Sequence, residues 1–106
     1  VTPIAVSSLR RVPALPDVPT MAESGLPGFE SYNWQGIVAP KGTPPAVIAR
    51  LSKELNAILQ LPDVKEMFAS TASEPAGGTP EEFAAFIRAE TAKWAAVVKA
   101  ANIQPE

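Results

Sequence analysis

Apolar residues in the second half of the chain recur every three or four positions, which predicts amphipathic helices. The first such stretch follows Thr43-Pro44, and we expect Thr43 to cap this helix with Pro44 at its first helical position. A second, shorter helix is predicted from about Pro62 to Ala69. The apolar stripe of the first helix consists of Val47, Leu51, Leu55 and Ile58.

The last predicted helix has the clearest start signal. Thr79 is followed by Pro80 and then by Glu82, which is the spacing of a capping box, in which each side chain satisfies a free backbone amide of the other residue. We expect this helix to end at about Ala100. Its apolar face consists of Phe83, Phe86, Ile87, Trp94, Val97 and Val98.

Glu90 falls in the middle of that apolar face when the helix advances by about 100° per residue. A carboxylate at such a position is costly unless it is paired. The favoured interpretation is a hydrogen bond or ion pair to a neighbouring element. A functional role, as a ligand contact or a proton-linked switch, is the alternative.

The first half of the chain contains short β-rich pieces separated by prolines. Residues 4–8 (IAVSS) and 32–39 (YNWQGIVA) predict strands, and residues 72–76 predict a short edge strand. Residues 9–19 (LRRVPALPDVP) hold three prolines and predict an extended surface loop. The alternation of strand and helix predicts an α/β fold. Because a few short strands do not form a stable sheet alone, we expect further strands from the rest of a longer chain or from another copy by exchange.

The stretch PTMAESG, residues 19–25, combines signals for the start and the end of a single helical turn. Thr20 and Glu23 have the spacing of a capping box, and Gly25 stands where a helix ends through a left-handed residue. The favoured interpretation is that Glu23 completes one helical turn. A role in ligand binding or in a hinge stays open, and the two interpretations are compatible.

Composition and charge narrow the possible chemistry. The 106 residues carry a formal net charge of −2, include 12 prolines and contain neither Cys nor His. The commonest general base, the commonest metal ligands and thiol chemistry are therefore missing, so we predict no metal site, no cofactor and no enzymatic activity. The single basic pair, Arg10-Arg11, does not indicate nucleic-acid or membrane binding. Helix starts at Thr20, Thr43 and Thr79 offer backbone amides that are compatible with anion binding.

Four segments, in order, resemble the C-terminal portion of the Bug/TctC proteins, the solute receptors of tripartite tricarboxylate transport systems. They are PIAVSS, RR...LPDVPTMAESGLPGFE, WQGIVAPKGTPPAVIARLSKELN and GGTPEEFAAFIRAETAKWAAVVKAANI. The combined pattern PTxAESG...WxGxxAPxGTP is specific, and the resemblance covers nearly the whole chain. Because family members are much longer and this sequence opens without an initiator Met, we expect it to be about the last third of a receptor.

The resemblance implies a partial type II periplasmic-binding-protein-like architecture, with short strands and three to four helices. Family members are periplasmic receptors whose two α/β lobes close on a small carboxylate-bearing solute, which they deliver to a membrane permease without catalysis. The signal peptide would lie in the missing N-terminal part. Residues 1–31 would be a strand and proline-rich loop of the second lobe, residues 32–40 the hinge-crossing strand, and residues 41–106 the helical part of the first lobe.

Six residues match the family pattern, and the resemblance implies that they bind ligand or act at the hinge. They are Pro19, Thr20, Glu23, Gly25, Trp34 and Gly36. The turn beside the hinge would hold the crossing strand rather than touch solute, and Trp34 would either pack at the hinge or line the cleft. The rival hypothesis is a stand-alone interaction or assembly domain, completed by strand exchange between two copies in a homodimer.

Overall fold

Three α-helices make up the regular structure of residues 1–104, which are the residues that the computed structural model describes. They are α1 (Pro45–Ile58), α2 (Pro62–Ser70) and α3 (Pro80–Ala100). The predicted capping box of α3 is confirmed: the Thr79 hydroxyl accepts a hydrogen bond from the Glu82 amide at 3.1 Å, and the Glu82 carboxylate accepts one from the Thr79 amide at 2.7 Å. The predicted extents of α2 and α3 are also confirmed, to within one residue.

The start of α1 differs by one residue from the prediction. Pro44, not Thr43, is the residue that precedes the first helical position, and it is extended, with φ −56° and ψ 139°. The helical region is disfavoured for a residue that stands before a proline, so Pro45 keeps Pro44 extended and outside the helix. The prediction that Thr43 caps this helix is therefore wrong, and the start of α1 has no side-chain cap.

The end of α2 explains why the predicted edge strand at residues 72–76 is absent. Ala72 has a positive φ of 52°, and the amide of Ser73 donates to the carbonyl of Phe68 at 2.9 Å. This is the hydrogen bond of a Schellman motif, with Ala72 in the position that glycine usually occupies. The left-handed residue turns the chain away from an extended path, and residues 73–76 follow without strand pairing.

The first predicted strand is reduced to one pair of residues. Val6 forms an isolated parallel bridge with Thr20. The amide of Val6 donates to the carbonyl of Pro19 at 2.9 Å, and the carbonyl of Val6 accepts from the amide of Met21 at 2.9 Å. Residues 4–8 therefore show strand pairing at a single position, where a full strand was predicted.

The second predicted strand, residues 32–39, has no strand structure. The residue before this segment, Ser31, is held by two hydrogen bonds to Ser7. The Ser31 amide donates to the Ser7 carbonyl at 2.9 Å, and the Ser7 hydroxyl donates to the Ser31 carbonyl at 2.8 Å. Beyond it, the side chains of Ile37 and Val38 are 72% and 75% exposed. Strand formation depends on a partner for the backbone groups, so a β-rich sequence alone does not produce a strand.

The chain divides into two compact units. The first unit combines Val1–Lys41 with Leu61–Pro75 and so includes α2, while the second combines Gly42–Gln60 with the residues from Ala76 onward and includes α1 and α3. Among residues 1–104, Val18 is the only buried apolar residue, and it belongs to the first unit. None of the three helices combines the length and the apolar character that crossing a membrane requires.

In the second unit, the side-chain amide of Asn56 joins α1 to the segment before α3. Asn56 Oδ1 accepts a hydrogen bond from the Gly78 amide at 2.9 Å, and Asn56 Nδ2 donates to the Gly78 carbonyl at 2.9 Å. The neighbouring Gly77 has a φ of +66°, and a Cβ atom there would stand 2.7 Å from Asn56 Oδ1. The glycine pair thus provides both the left-handed conformation and the space that this clamp requires.

Glu90 is buried, with 9% of its surface exposed, and its partners lie on its own helix. Its carboxylate accepts hydrogen bonds from Trp94 Nε1 at 2.9 Å and from Lys93 Nζ at 3.1 Å. The indole hydrogen bond and, next, the lysine hydrogen bond hold the pKa of Glu90 below its ordinary value. Pairing is confirmed, but the expectation of a partner on a neighbouring element is wrong, because residues three and four positions later on a helix lie on the same face.

The Asn56 clamp predicts a specific loss of stability. Replacing Asn56 with Ala removes both hydrogen bonds to Gly78, so we expect the free energy of unfolding to fall by about 1 kcal/mol. Urea unfolding would measure the change. The exposed Lys53 on the same helix is the control, and Lys53→Ala should change the free energy by less than about 0.5 kcal/mol. Equal effects of the two substitutions would contradict a role for the clamp.

The pairing of Glu90 predicts a change in the pH dependence of stability. Because its pKa is lowered in the folded protein, Glu90 stabilises the fold above the ordinary value of 4.5, and this contribution is lost as the pH falls through the lowered pKa. Trp94→Phe removes the indole donor and should raise the pKa of Glu90 towards 4.5. The destabilisation by Trp94→Phe should therefore be larger at pH 7 than at the acid end of a urea-unfolding series.

Thr91→Val is the matched control for this series. The Thr91 hydroxyl donates to the Ile87 carbonyl at 2.7 Å on the same helix and does not bond to Glu90. Its replacement should change the free energy of unfolding by the same amount at every pH. A Trp94→Phe effect that is equally independent of pH would show that the indole does not control the ionisation of Glu90.

Candidate functional site

Thr20 and Glu23 form a complete capping box in the first unit. The Glu23 amide donates to the Thr20 hydroxyl at 3.0 Å, and the Thr20 amide donates to Glu23 Oε2 at 2.8 Å. Thr20 is the most deeply buried residue described, with 1% of its surface exposed. The predicted pairing of these two residues is therefore present, and both backbone amides are satisfied inside the turn.

The same stretch ends as predicted, after one turn. Gly25 has a φ of +108°, and the Leu26 amide donates to the Met21 carbonyl at 3.1 Å, which is the long hydrogen bond of a Schellman ending. The hydroxyl of Ser24 donates to the Thr20 carbonyl at 2.8 Å and closes the turn further. A capping box and a helix ending thus enclose a single turn rather than a continuing helix.

Arg11 is a third participant that the sequence patterns did not identify. Its Nε atom lies 3.1 Å from Glu23 Oε2 and 3.3 Å from Oε1, and its Nη1 atom donates to the Pro16 carbonyl at 3.2 Å. The Thr20 amide and, next, the Arg11 guanidinium hold the pKa of Glu23 below its ordinary value. No helical or strand periodicity links positions 11 and 23, so only the presence of the Arg10-Arg11 pair could have suggested this contact.

Four of the six predicted residues come together in this turn. Pro19 supplies the carbonyl that accepts from the Val6 amide, and Thr20 forms the bridge with Val6. Glu23 and Gly25 follow within the same turn. The turn is therefore joined to Val6 on one side and to the proline-rich loop, through Arg11, on another.

The other two predicted residues, Trp34 and Gly36, lie outside the turn. They belong to the segment after Ser31, which forms neither a helix nor a strand. The hydrogen bonds between Ser31 and Ser7 place the beginning of this segment beside Val6. Trp34 is 40% exposed, and Gly36 is also exposed. The adjacent residues Val6 and Ser7 thus contact the turn and the start of this segment, respectively.

The chemistry available at the turn is limited by its internal hydrogen bonds. The Thr20 and Glu23 amides and the Glu23 carboxylate all have partners within the first unit. At Thr79 the capping box likewise pairs two backbone amides, those of Thr79 and Glu82, with the side chains of the same two residues. Within residues 1–104, no group of three or more acidic, His or Cys side chains could hold a metal ion.

A separate cavity of about 350 Å³ lies within the first unit, between the proline-rich loop and the end of α2. None of the six predicted residues lines it. The lining residues are Val12, Pro13, Ala14, Ala69, Ala72, Ser73 and Glu74.

Curated proteins that are similar to the chain over most of its length include the following two. BugT of Bordetella pertussis is 41% identical over 96 residues, which are 91% of this chain and 29% of BugT. A UPF0065 protein of Pseudomonas sp. (strain P51) is 48% identical over 92 residues, which are 86% of this chain and 27% of that protein. The chain therefore spans less than a third of the length of these relatives.

Two solved structures share its fold. The periplasmic binding protein BugD is 41% identical with a TM-score of 0.84, over 96% of this chain and 35% of BugD. R. palustris Rpa4515 with adipate is 35% identical with a TM-score of 0.83, over 96% of this chain and 34% of that structure. These similarities confirm the predicted periplasmic-binding-protein-like architecture. The family described as "Tripartite tricarboxylate transporter family receptor" matches residues 2–103, and the chain therefore belongs to this family, TctC.

Proposed function

We propose that this chain is part of a periplasmic receptor that binds a small carboxylate solute for tripartite tricarboxylate transport. The observation that carries the proposal is the similarity to Rpa4515, whose structure contains adipate, at 35% identity over 96% of this chain. Membership of a receptor family supports binding rather than catalysis. The periplasmic location is supported by the similarity to the periplasmic binding protein BugD.

In this proposal, solute is bound by closure of two lobes. Residues 1–31 belong to the second lobe, residues 32–40 cross between the lobes, and residues 41–106 form the helical part of the first lobe. In this assignment the lobe boundary differs from the boundary of the compact units, because α2 belongs to the same unit as residues 1–41. Closure follows from tighter binding of solute to the closed state than to the open state. The closed receptor then delivers its solute to the membrane permease of the transport system.

The six predicted residues have two kinds of role in the proposal. Pro19, Thr20, Glu23 and Gly25 act at the hinge, where they hold the start of the crossing segment through Val6 and Ser7, and they do not touch solute. Support comes from the internal hydrogen bonds of the turn, which leave its carboxylate and its hydroxyl engaged. Trp34 and Gly36 act in the crossing segment itself, at the hinge or at the wall of the cleft.

Calorimetric titration of the native polypeptide that carries this sequence would test the proposal. We expect saturable binding of at least one aliphatic dicarboxylate or tricarboxylate from a panel of adipate, succinate and citrate. Adipamide is the matched control, because it has the length of adipate without its charge, and it should not bind. The absence of binding by every carboxylate in the panel, or equal binding of adipate and adipamide, would contradict the proposal.

Residues 1–106 alone should bind solute weakly or not at all. The chain covers 34% of the adipate-containing structure, so we expect most of the solute contacts to come from elsewhere in the receptor. A thermal-shift panel with the same carboxylates would measure this. A clear and saturable shift at micromolar ligand would show that the chain carries a sufficient site by itself.

A second candidate function is a stand-alone assembly domain, completed by strand exchange between two copies. The observation in its favour is the β-rich segment with Ile37 and Val38 mostly exposed, because such a segment can pair with a strand of another chain. Light scattering separates the two proposals in part. A monomeric native polypeptide that binds carboxylates supports the receptor, whereas an obligate dimer without carboxylate binding supports the assembly domain.

A further inference from the structure

The two capping boxes among residues 1–104 differ in two respects. Both pair a threonine with the glutamate three residues later by the same two hydrogen bonds. Thr79 and Glu82 begin the 21 residues of α3, whereas Thr20 and Glu23 begin only a single turn. The carboxylate of the short turn has an additional partner, the guanidinium of Arg11, which belongs to the preceding loop.

This loop, residues 9–19, has few backbone hydrogen bonds of its own because three of its residues are prolines. The amide of Leu15 donates to Val12 at 2.9 Å, and the amide of Val18 donates to Leu15 at 3.1 Å. Arg11 adds a bond to the Pro16 carbonyl, so its guanidinium joins two points of the loop to the turn. The Glu23 carboxylate therefore accepts a hydrogen bond from the Thr20 amide, at the start of the turn, and another from Arg11, the side chain that anchors the loop.

We propose that Arg11 and Glu23 form an acid-sensitive latch, which holds the proline-rich loop on the turn and opens when Glu23 is protonated. Protonation removes the charge that attracts the guanidinium and weakens the hydrogen bond from the Thr20 amide at the same time, because both donors use one carboxylate. The side chains of Arg11 and Glu23 are 46% and 48% exposed, so water can replace each partner when the latch opens.

The direction of the pH effect follows from the partners of Glu23. Within residues 1–104, Arg11 is the charged side chain that contacts Glu23, and Thr20 supplies the neutral donors. Both the Thr20 amide and the guanidinium stabilise the carboxylate and lower its pKa from the ordinary value of 4.5. The latch is thus closed above that value and opens as the pH falls through the lowered pKa, and the stability it provides is lost in the same range.

Nuclear magnetic resonance on the native polypeptide, labelled with ¹⁵N, would follow the latch directly. The signals of the Thr20 amide and of Arg11 Nε report the two donors to Glu23. On titration from pH 7 to acid, we expect both signals to shift together, with one midpoint below 4.5. The Ala101 amide, which donates to the Val97 carbonyl at 2.9 Å and not to a carboxylate, is the internal reference and should not follow that midpoint.

Variants separate the latch from the capping box. Arg11→Met removes the guanidinium and should move the midpoint of the Thr20 signal to higher pH, while the profile of the Ala101 signal stays unchanged. Glu23→Gln removes the charge that attracts the guanidinium, so the Arg11 signal should have its released position at every pH. The substitution keeps an oxygen that can accept from the Thr20 amide, so the turn itself is retained. Glu82→Gln is the matched control in the second capping box and should leave the Arg11 signal unaltered.

Three results would overturn the proposal. The first is an unchanged Thr20 midpoint in Arg11→Met, and the second is a Thr20 midpoint that differs from that of Arg11 Nε in the unsubstituted protein. The third is an Ala101 signal that moves together with Thr20, because that result indicates general acid unfolding rather than opening of the latch. The unsubstituted protein alone provides the second and third tests, so they remain decisive even if a variant fails to fold.

Discussion

Hydrogen bonds between backbone amides and side-chain oxygens fix the places where this chain changes direction. Thr20 and Thr79 each exchange two such bonds with the glutamate three residues later, and Asn56 holds both polar groups of Gly78. An unpaired amide at these positions would be costly wherever water is excluded. Since Val18 is the only buried apolar residue among those described, apolar packing within residues 1–104 does little to position these turns.

The apolar faces of α1 and α3 remain partly exposed. Leu51 on α1 is 48% exposed, and Trp94 and Val97 on α3 are 42% and 44% exposed. Such faces are usually covered in a complete protein, because exposed apolar surface forgoes the stabilisation that burial provides. The chain covers 34% of the Rpa4515 structure and 35% of the BugD structure.

Local spacing predicted the features that depend on neighbours in sequence. The extents of α2 and α3, both capping boxes and the ending at Gly25 were all predicted from residues within a few positions of one another. The proline rule that moves the start of α1 to Pro45 is also local, and it was missed because Thr43 gave a competing cap signal. Ala72 was missed for a different reason, since a left-handed alanine contradicts the usual preference for glycine.

The other features that the sequence did not predict depend on distant residues. Arg11 meets Glu23 from 12 positions away, and no periodicity encodes that distance. The predicted strands failed because a strand needs a partner, and β propensity does not state where the partner is. For the candidate site, local spacing predicted the capping box of Thr20 and Glu23, but the contact of Glu23 with Arg11 and the bridge of Thr20 with Val6 became evident only from the fold.

Glycines 25 and 77 place different demands on the residue that occupies each position. At Gly25, φ is +108° and no atom lies within 4 Å of the place where a Cβ would stand, so only the handedness of the backbone opposes an L-residue. At Gly77, φ is +66° and the Cβ would also stand 2.7 Å from Asn56 Oδ1. Position 25 therefore selects for stereochemistry alone, whereas position 77 selects for stereochemistry and for size.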